Sequence, residues 1–420
     1  MNNIEQHIAE YIENKKPPYN YLATYRENIG ALHSPKILDI NVEQALSQKV
    51  IFISDRPNYH FLRVSKALME KGRETILLTR WGVPEEQNSF FTSIILYDKF
   101  ADLKAISPAQ NCQFFVQTWV GWNFLHAYIS SLTKQPIYCN VNDLSNLLLK
   151  DIKYFDLINL PHLEAKADLA FELMMLENAQ LVTMPYTSEA LEKLPIKNNK
   201  LGKNIVTFPT YPLSQFSSKQ TRKLSEKPRL LYTAMIPFDD RPDIVFSDAK
   251  LQKPVKTILK QGLSLTIFNN PQHTKALDNK MLKEKYRYFY DLMNEFSNFT
   301  FKDGFMPWHL KEQVANFDFG TVLHSATEEL VINPTHYERI LPSKLFTYIE
   351  AGLPIIVVDN FKSVSQLVIE HNLGIVISEN ELPHLNETIR KRADEYPKFI
   401  ENLIKYRANF NMKAMSELFD

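Results

Sequence analysis

The run Pro342-Ser343-Lys344-Leu345-Phe346-Thr347-Tyr348-Ile349-Glu350-Ala351-Gly352-Leu353-Pro354-Ile355-Ile356-Val357-Val358-Asp359 restricts the fold of this chain more than any other stretch. Pro342 suits the first turn of a helix, where its missing N–H costs nothing, and Gly352 followed by Pro354 supplies a stop. Leu345, Tyr348 and Ile349 fall on one face at i, i+3 and i+4, which leaves Ser343, Lys344, Thr347 and Glu350 to face elsewhere. Past Pro354, the β-branched run Ile355 to Val358 predicts a strand buried on both faces, as parallel sheets require. A helix feeding such a strand is half of a crossover unit, so the expected class is α/β.

The start of that helix carries the chemistry. Its first N–H groups have no internal partner, the macrodipole is positive there, and Lys344 adds a full charge, so the end is preset to hold a phosphate. A helix terminus contributes roughly 0.3–2 kcal/mol, whereas micromolar binding needs about 8 kcal/mol. Most of the affinity must therefore come from other groups around the same site. A lysine snorkelling from an ordinary helix is the plain alternative.

The chain has 420 residues, more than one core comfortably serves, and two domains are the expectation. Its net charge is zero, which gives neither a nucleic-acid footprint nor strong attraction to an anionic membrane. Only 10 glycines occur, and neither a P-loop nor a G-x-G-x-x-G is among them. Cys112 and Cys139 form no disulfide framework or metal-ligand spacing and read as buried thiols of a reducing compartment. The start, Met1-Asn2-Asn3-Ile4-Glu5, lacks a basic-then-apolar pattern, and there is no apolar run of about 18 residues. A cytoplasmic protein is expected, with peripheral attachment to the inner face of the membrane compatible with it.

Taken in order, residues 1–48 read as an N-terminal helical arm through Ile4, Ile8, Tyr11 and Ile12, broken at Pro17-Pro18. Residues 49–210 read as a first Rossmann-like domain. Val50 to Ser54 is a strand, a helix runs through Leu62, Leu68 and Met69 to Gly72, and Thr75 to Thr79 is the next strand. The loop Asp55-Arg56-Pro57-Asn58 then falls at the carboxyl edge, where α/β proteins bind ligands, which makes Arg56 and Asn58 candidate substrate contacts. Further strands are expected at 93–97, 113–117, 136–143 and 181–184, with helices from Trp122 to Leu132 and from His162 to Asn178. Asn142-Asp143 then ends a strand at that same edge. The proline- and serine-rich stretch around 211–227 reads as a linker. Residues 228–385 read as a second domain with strands at 229–234, 263–268, 299–301, 317–323, 355–358 and 374–378, and a solvated helix from Lys283 to Phe296. Residues 386–420 are expected to be helical and to cross back to the first domain.

Asp239-Asp240 and Asp243 invite a magnesium site, but a solvated loop between prolines is the favoured reading. His324 and His336 lack zinc spacing, so no metal is expected. Trp119 and Trp122 suit a sugar face but are more readily core residues.

Two doubly wound domains and a C-terminal phosphate-gripping helix together resemble the GT-B glycosyltransferases, in particular the retaining group of glycogen- and sucrose-synthase-like enzymes and bacterial sugar transferases. Pro342 to Pro354 resembles that group's "P-x-K-x-x-E-Y-x-x-x-G-x-P", Asn298 to Gly304 and Phe317 to Gly320 its preceding strand-and-loop pair, and Gly374-Ile375-Val376 its "G-x-x-V". The chain departs from the pattern in three places. Arg339 and Thr347 stand where two glutamates are usual, Thr233-Ala234-Met235 where an arginine and a lysine are usual, and Asn142-Asp143 where His-Asp is usual.

The resemblance implies two domains facing each other across a cleft. It further implies transfer of a sugar, with retention and no obligatory metal or other cofactor, from a nucleotide-sugar (a UDP-sugar by default) to a glycan, lipid-linked or protein acceptor. In that reading Lys344, with Arg241, neutralises the diphosphate, Ser343 lies at the helix start, and Thr347 or Glu350 bonds the ribose. The turn Ser325-Ala326-Thr327-Glu328-Glu329 touches the sugar, with Thr327 and Glu328 as donor contacts, while Arg56, Asn58, Asn142 and Asp143 face the acceptor. The competing class is a non-catalytic scaffold or partner subunit of a glycosylation system that keeps the fold. An epimerase on the same architecture would need a carboxylate and histidine cluster that the sequence lacks.

Overall fold

The computed structural model describes residues 34–158, 160–195, 204–218, 222–234, 236, 238, 251–270, 278–323 and 330–419. It divides into two units, one of residues up to Phe208 together with Phe419, the other of Pro209–Leu418. The expected N-terminal helix lies outside the described residues.

In the first unit β1 (Val50–Ile53), β2 (Thr75–Thr79), β3 (Ser93–Leu96), β4 (Gln113–Thr118), β5 (Ile137–Val141), β6 (Leu181–Met184) and β7 (Ile205–Thr207) form one parallel sheet. Its order is β3-β2-β1-β4-β5-β6-β7, with Val50 paired to Thr75 on one side and Gln113 on the other. Every residue of β1 is buried, as expected of a continuous apolar run covered on both faces. The Tyr59–Glu70 helix links β1 to β2, capped by Asn58, whose Oδ1 accepts the Phe61 N–H at 2.8 Å. Its Phe61 joins Phe52 of β1 and Phe115 of β4 in one aromatic cluster. The Phe419 ring packs against Phe115, Tyr138 and Phe208, so the end of the chain belongs to this core.

The second unit repeats the plan with six parallel strands: β8 (Arg229–Ala234), β9 (Ser264–Asn269), β10 (Phe299–Asp303), β11 (Phe319–Val322), β12 (Ile355–Val358) and β13 (Gly374–Ile377). The order is β10-β9-β8-β11-β12-β13. Each sheet therefore has a topological switch point, between β1 and β4 in one and between β8 and β11 in the other, where diverging loops leave a crevice at the carboxyl edge.

Several expectations need correction. Helix Ser343–Ala351 begins one residue later than expected, with Pro342 in an extended conformation as its cap, and it ends at Gly352 in the left-handed region (φ 73°). It is also buried on more than one stripe: Phe346, Thr347 and Glu350 are covered along with Leu345, Tyr348 and Ile349. The covering comes from the stretch read as a linker. β7 ends just before it, completing the first sheet, and within it Tyr211 and Leu213 are buried in the second unit. The Tyr211 ring packs on Phe346, and the Leu213 N–H donates to Glu350 Oε1 at 2.7 Å. The expected 283–296 helix is two helices, Asn279–Lys285 and Arg287–Glu295, broken at Tyr286. Tyr286 is fully buried, with its hydroxyl donating to the Ile236 carbonyl, so tertiary contact overrides helical continuity there. Trp122 lies in the core beside Phe100 and Phe124. Both cysteines are buried and free. No helix among the described residues is long and apolar enough to cross a membrane.

Tyr348 fixes how the Ser343–Ala351 helix sits on the sheet. Its ring lies against Gly320 of β11 so closely that a Cβ there would fall 2.3 Å from ring carbon Cγ. Its hydroxyl accepts the Thr233 N–H of β8 at 2.7 Å. Gly320→Ala is expected to lower stability by about 1–3 kcal/mol through overpacking, seen as a lower urea midpoint, and a wild-type midpoint would contradict this packing.

Candidate functional site

Helix Ser343–Ala351, which leads into β12, runs back along the sheet, so its N-terminus lies at the carboxyl edge beside the β8/β11 switch point. Its other end is closed by cations: Arg407 Nη1 donates to the Glu350 carbonyl at 3.0 Å, and Arg222 Nη2 to the Ala351 carbonyl at 3.4 Å. At the start, Ser343 is exposed and Lys344 half-buried. The Lys344 ammonium donates to the Tyr232 hydroxyl at 2.9 Å and lies 4.5 Å from that ring's centroid. Tyr232, within β8 and fully buried, was not singled out from the sequence, where it reads as one more apolar strand residue.

The two residues expected at the ribose have other occupations. Thr347 is 8% exposed and its hydroxyl donates back to the Ser343 carbonyl at 3.0 Å. Glu350 is 2% exposed and its carboxylate holds the Leu213 amide, a link that ties the 209–218 segment to the helix. Arg241, Thr327 and Glu328 lie outside the described residues, as do Asp239, Asp240, Asp243, His324, Ser325, Ala326 and Glu329. His336 is buried, which lowers its imidazole to about 4. Among the described residues no group of three or more His, Cys, Asp or Glu could hold a metal ion.

The first unit's switch point gathers the other candidates. Gln117, near the end of β4 and 4% exposed, spans the loop after β1: its Oε1 accepts the Asn58 N–H at 3.0 Å and its Nε2 donates to the Arg56 carbonyl at 3.0 Å. Asn58 Nδ2 donates to Asn142 Oδ1 at 3.0 Å and, more weakly, to Asn140 Oδ1 at 3.4 Å. Asn142 Nδ2 in turn donates to Asp143 Oδ2 at 3.1 Å. The structure thus brings Arg56, Asn58, Asn142 and Asp143 to one edge. It adds Gln117 and Asn140, whose only signal in the sequence is a polar residue inside an apolar strand.

Both flanks of that edge are braced. Asp55 is buried and binds Arg80 through both carboxylate oxygens and the Tyr97 hydroxyl at 2.9 Å, while the Arg80 guanidinium rests 4.2 Å from the Phe100 ring. Such a buried pair fixes geometry more than it adds stability. Beyond Asp143, the single helical turn Ser145–Leu148 is capped by Glu172 of the His162–Asn178 helix. Its carboxylate accepts the N–H groups of Ser145 and Asn146, at 2.5 and 3.0 Å. Burial raises the Glu172 carboxyl to about 7 against the pull of these donors.

Residues 266–414, which include Lys344, match the sequence model of a family described as glucosyltransferase 3-like, C-terminal domain. Sucrose-phosphate synthase from Thermosynechococcus elongatus superposes with a TM-score of 0.57 at 14% identity, covering 89% of this chain and 97% of that one. Anabaena HepE, solved in complex with UDP and glucose, gives 0.58 at 10% identity, with 89% and 98% covered. A glycosyltransferase involved in avilamycin A biosynthesis gives 0.50 at 10%, with 89% and 96% covered. The fold is GT-B. No curated protein sequence matches the chain. The GT-B likeness spans both units, and the family match covers residues 266–414 of the second.

Burial raises the Asp143 carboxyl from 3.8 to about 6, partly offset by the Asn142 hydrogen bond. A raised folded value favours the neutral form, so this contribution to stability is complete below about pH 4 and is lost as pH rises through about 6. Asp143→Asn is therefore expected to match wild type in urea midpoint at acid pH and to exceed it increasingly as pH rises through that window. A difference independent of pH would show that the carboxyl is not held neutral.

Proposed function

We propose that the protein is a glycosyltransferase that moves a sugar from a nucleotide-sugar, a UDP-sugar by default, to a hydroxyl of a glycan, lipid-linked or protein acceptor, with retention at the anomeric carbon. The observation that carries this reading is the position of Lys344. A half-buried ammonium sits at the N-terminus of a nine-residue helix, beside the switch point of a Rossmann-ordered sheet, within the segment that matches a glucosyltransferase-type domain. The second unit, 228–385 in its core, is read as the donor domain and the first, 49–210, as the acceptor domain.

As the bond between the sugar's C1 and the diphosphate oxygen breaks, negative charge grows on the leaving phosphate. Lys344 and the first-turn N–H groups of Ser343 and its neighbours answer that charge where it develops. Arg241 is the further cation this reading assigns to the diphosphate. Ribose recognition is not assigned to Thr347 or Glu350, whose polar atoms are committed within the fold. On the acceptor side the attacking oxygen bonds C1 on the face that the diphosphate leaves and gives its proton to the Asp143 carboxylate, with Asn58 and Asn142 holding that carboxylate in place and Arg56 beside them. No metal or other cofactor is assigned a part.

Thermal unfolding measured with UDP-, GDP-, CMP- and dTDP-sugars is expected to show a rise in midpoint with the matching nucleotide, UDP first, through mass action on the folded state. Lys344→Ala should weaken UDP binding by about tenfold or more, since hydrogen bonds to charged groups are worth roughly 1.5–3 kcal/mol. Calorimetric titration of both proteins decides it, and unchanged affinity would remove Lys344 from the site.

A further inference from the structure

We infer that Tyr232 is the residue that positions the Lys344 ammonium for the donor's diphosphate, an assignment that rests on the nucleotide reading above. Four features of the fold converge on it. Tyr232 is fully buried in β8, so its hydroxyl has one place to be, and that place is 2.9 Å from Lys344 Nζ. The ring beneath offers a second, electrostatic hold at 4.5 Å from its centroid. The next residue, Thr233, gives its N–H to Tyr348 of the lysine's own helix, so β8 and the helix are locked at adjacent positions and the Tyr232–Lys344 distance is set by packing on both sides. Finally, Thr233 and Ala234, which end β8, and Ile236 beyond it carry no charge, which places more of the electrostatic work on Lys344.

The physical consequence is preorganisation. A free lysine side chain has much rotamer freedom to lose, and a lysine already held by an acceptor and a ring gives up less of it when an anion arrives. An ammonium has three N–H donors; the Tyr232 oxygen takes one and fixes the direction of the others. The phenol remains outside the reacting atoms throughout and acts only through the lysine, so it is a positioning residue and not a catalytic one.

A double-mutant cycle with Tyr232→Phe and Lys344→Met separates this role from a merely structural one. The readouts are affinity for UDP, affinity for uridine as a phosphate-free control, and the urea midpoint. Tyr232→Phe keeps the ring and the packing, so the midpoint and uridine affinity are expected to stay within twofold-equivalent error of wild type, while UDP affinity falls about tenfold, the scale of one hydrogen bond to a charged group. In the Lys344→Met background the same change should have no further effect on UDP. If Lys344→Met weakens UDP but Tyr232→Phe does not, or does so equally in both backgrounds, the assignment of Tyr232 is overturned while the nucleotide site stands. If Lys344→Met leaves UDP affinity unchanged, the nucleotide reading itself fails. A loss of uridine affinity equal to the loss for UDP would show a general distortion of the pocket and would also overturn the assignment.

Discussion

The placement of one aromatic ring governs the second unit. Because Gly320 has no side chain, Tyr348 can lie directly on β11, and because its hydroxyl accepts from Thr233, the same ring reaches β8. Two strands on either side of the switch point are thereby tied to one helix. The helix cannot rotate or slide without losing either the close packing or the half-buried Thr233 hydrogen bond. Arg222 and Arg407 close its carbonyl end, and Glu350 recruits the preceding chain through Leu213. With one end and the core face fixed, the N-terminus and Lys344 are held at the edge of the sheet.

The first unit uses carboxamides for the same purpose. Gln117 reads both a carbonyl and an amide of the loop after β1, and Asn58 passes the connection to Asn142 and Asp143 after β5. Behind them, Asp55 with Arg80 and Glu172 with the Ser145–Leu148 turn hold the flanking backbone. In the second unit Asn269, at the end of β9, likewise accepts the Ile236 N–H of the loop after β8 at 2.9 Å, so in both units a side chain from one strand end fixes the loop of its neighbour. This is how a fold shared by proteins of different specificity can carry a rigid edge while the loops above it vary.

Much of the fold was legible in the residues. Runs such as Val50 to Ile53 and Ile355 to Val358 are too uniformly apolar and β-branched for anything but strands covered on both faces. The His162–Asn178 helix and the stop at Gly352 were also readable, since propensity and chain-reversal chemistry act locally. In the second unit the helix that carries Lys344 was legible, because a proline and a glycine at those spacings define its two ends and a lysine marks the first. Periodicity misplaced Thr347 and Glu350 on an open face. It sees a single stripe, whereas the residues covering the other side, Tyr211 and Leu213, come from a stretch whose prolines and serines read as a linker. Tyr286 escaped for the same reason, its burial depending on a carbonyl fifty residues earlier.

The sequence by itself determined the class of fold, the two-sheet plan and the charged helix end, since each follows from interactions between residues within a few turns or strands of one another. Only the tertiary structure decided which polar residues gather at the carboxyl edges of the two sheets. Gln117, Asn140 and Tyr232 look like interruptions or members of apolar strands until their partners, 59 and 112 residues away for Gln117 and Tyr232, are brought within hydrogen-bonding distance. A hydrogen bond is set by distance and angle in space, and separation along the chain carries no record of either.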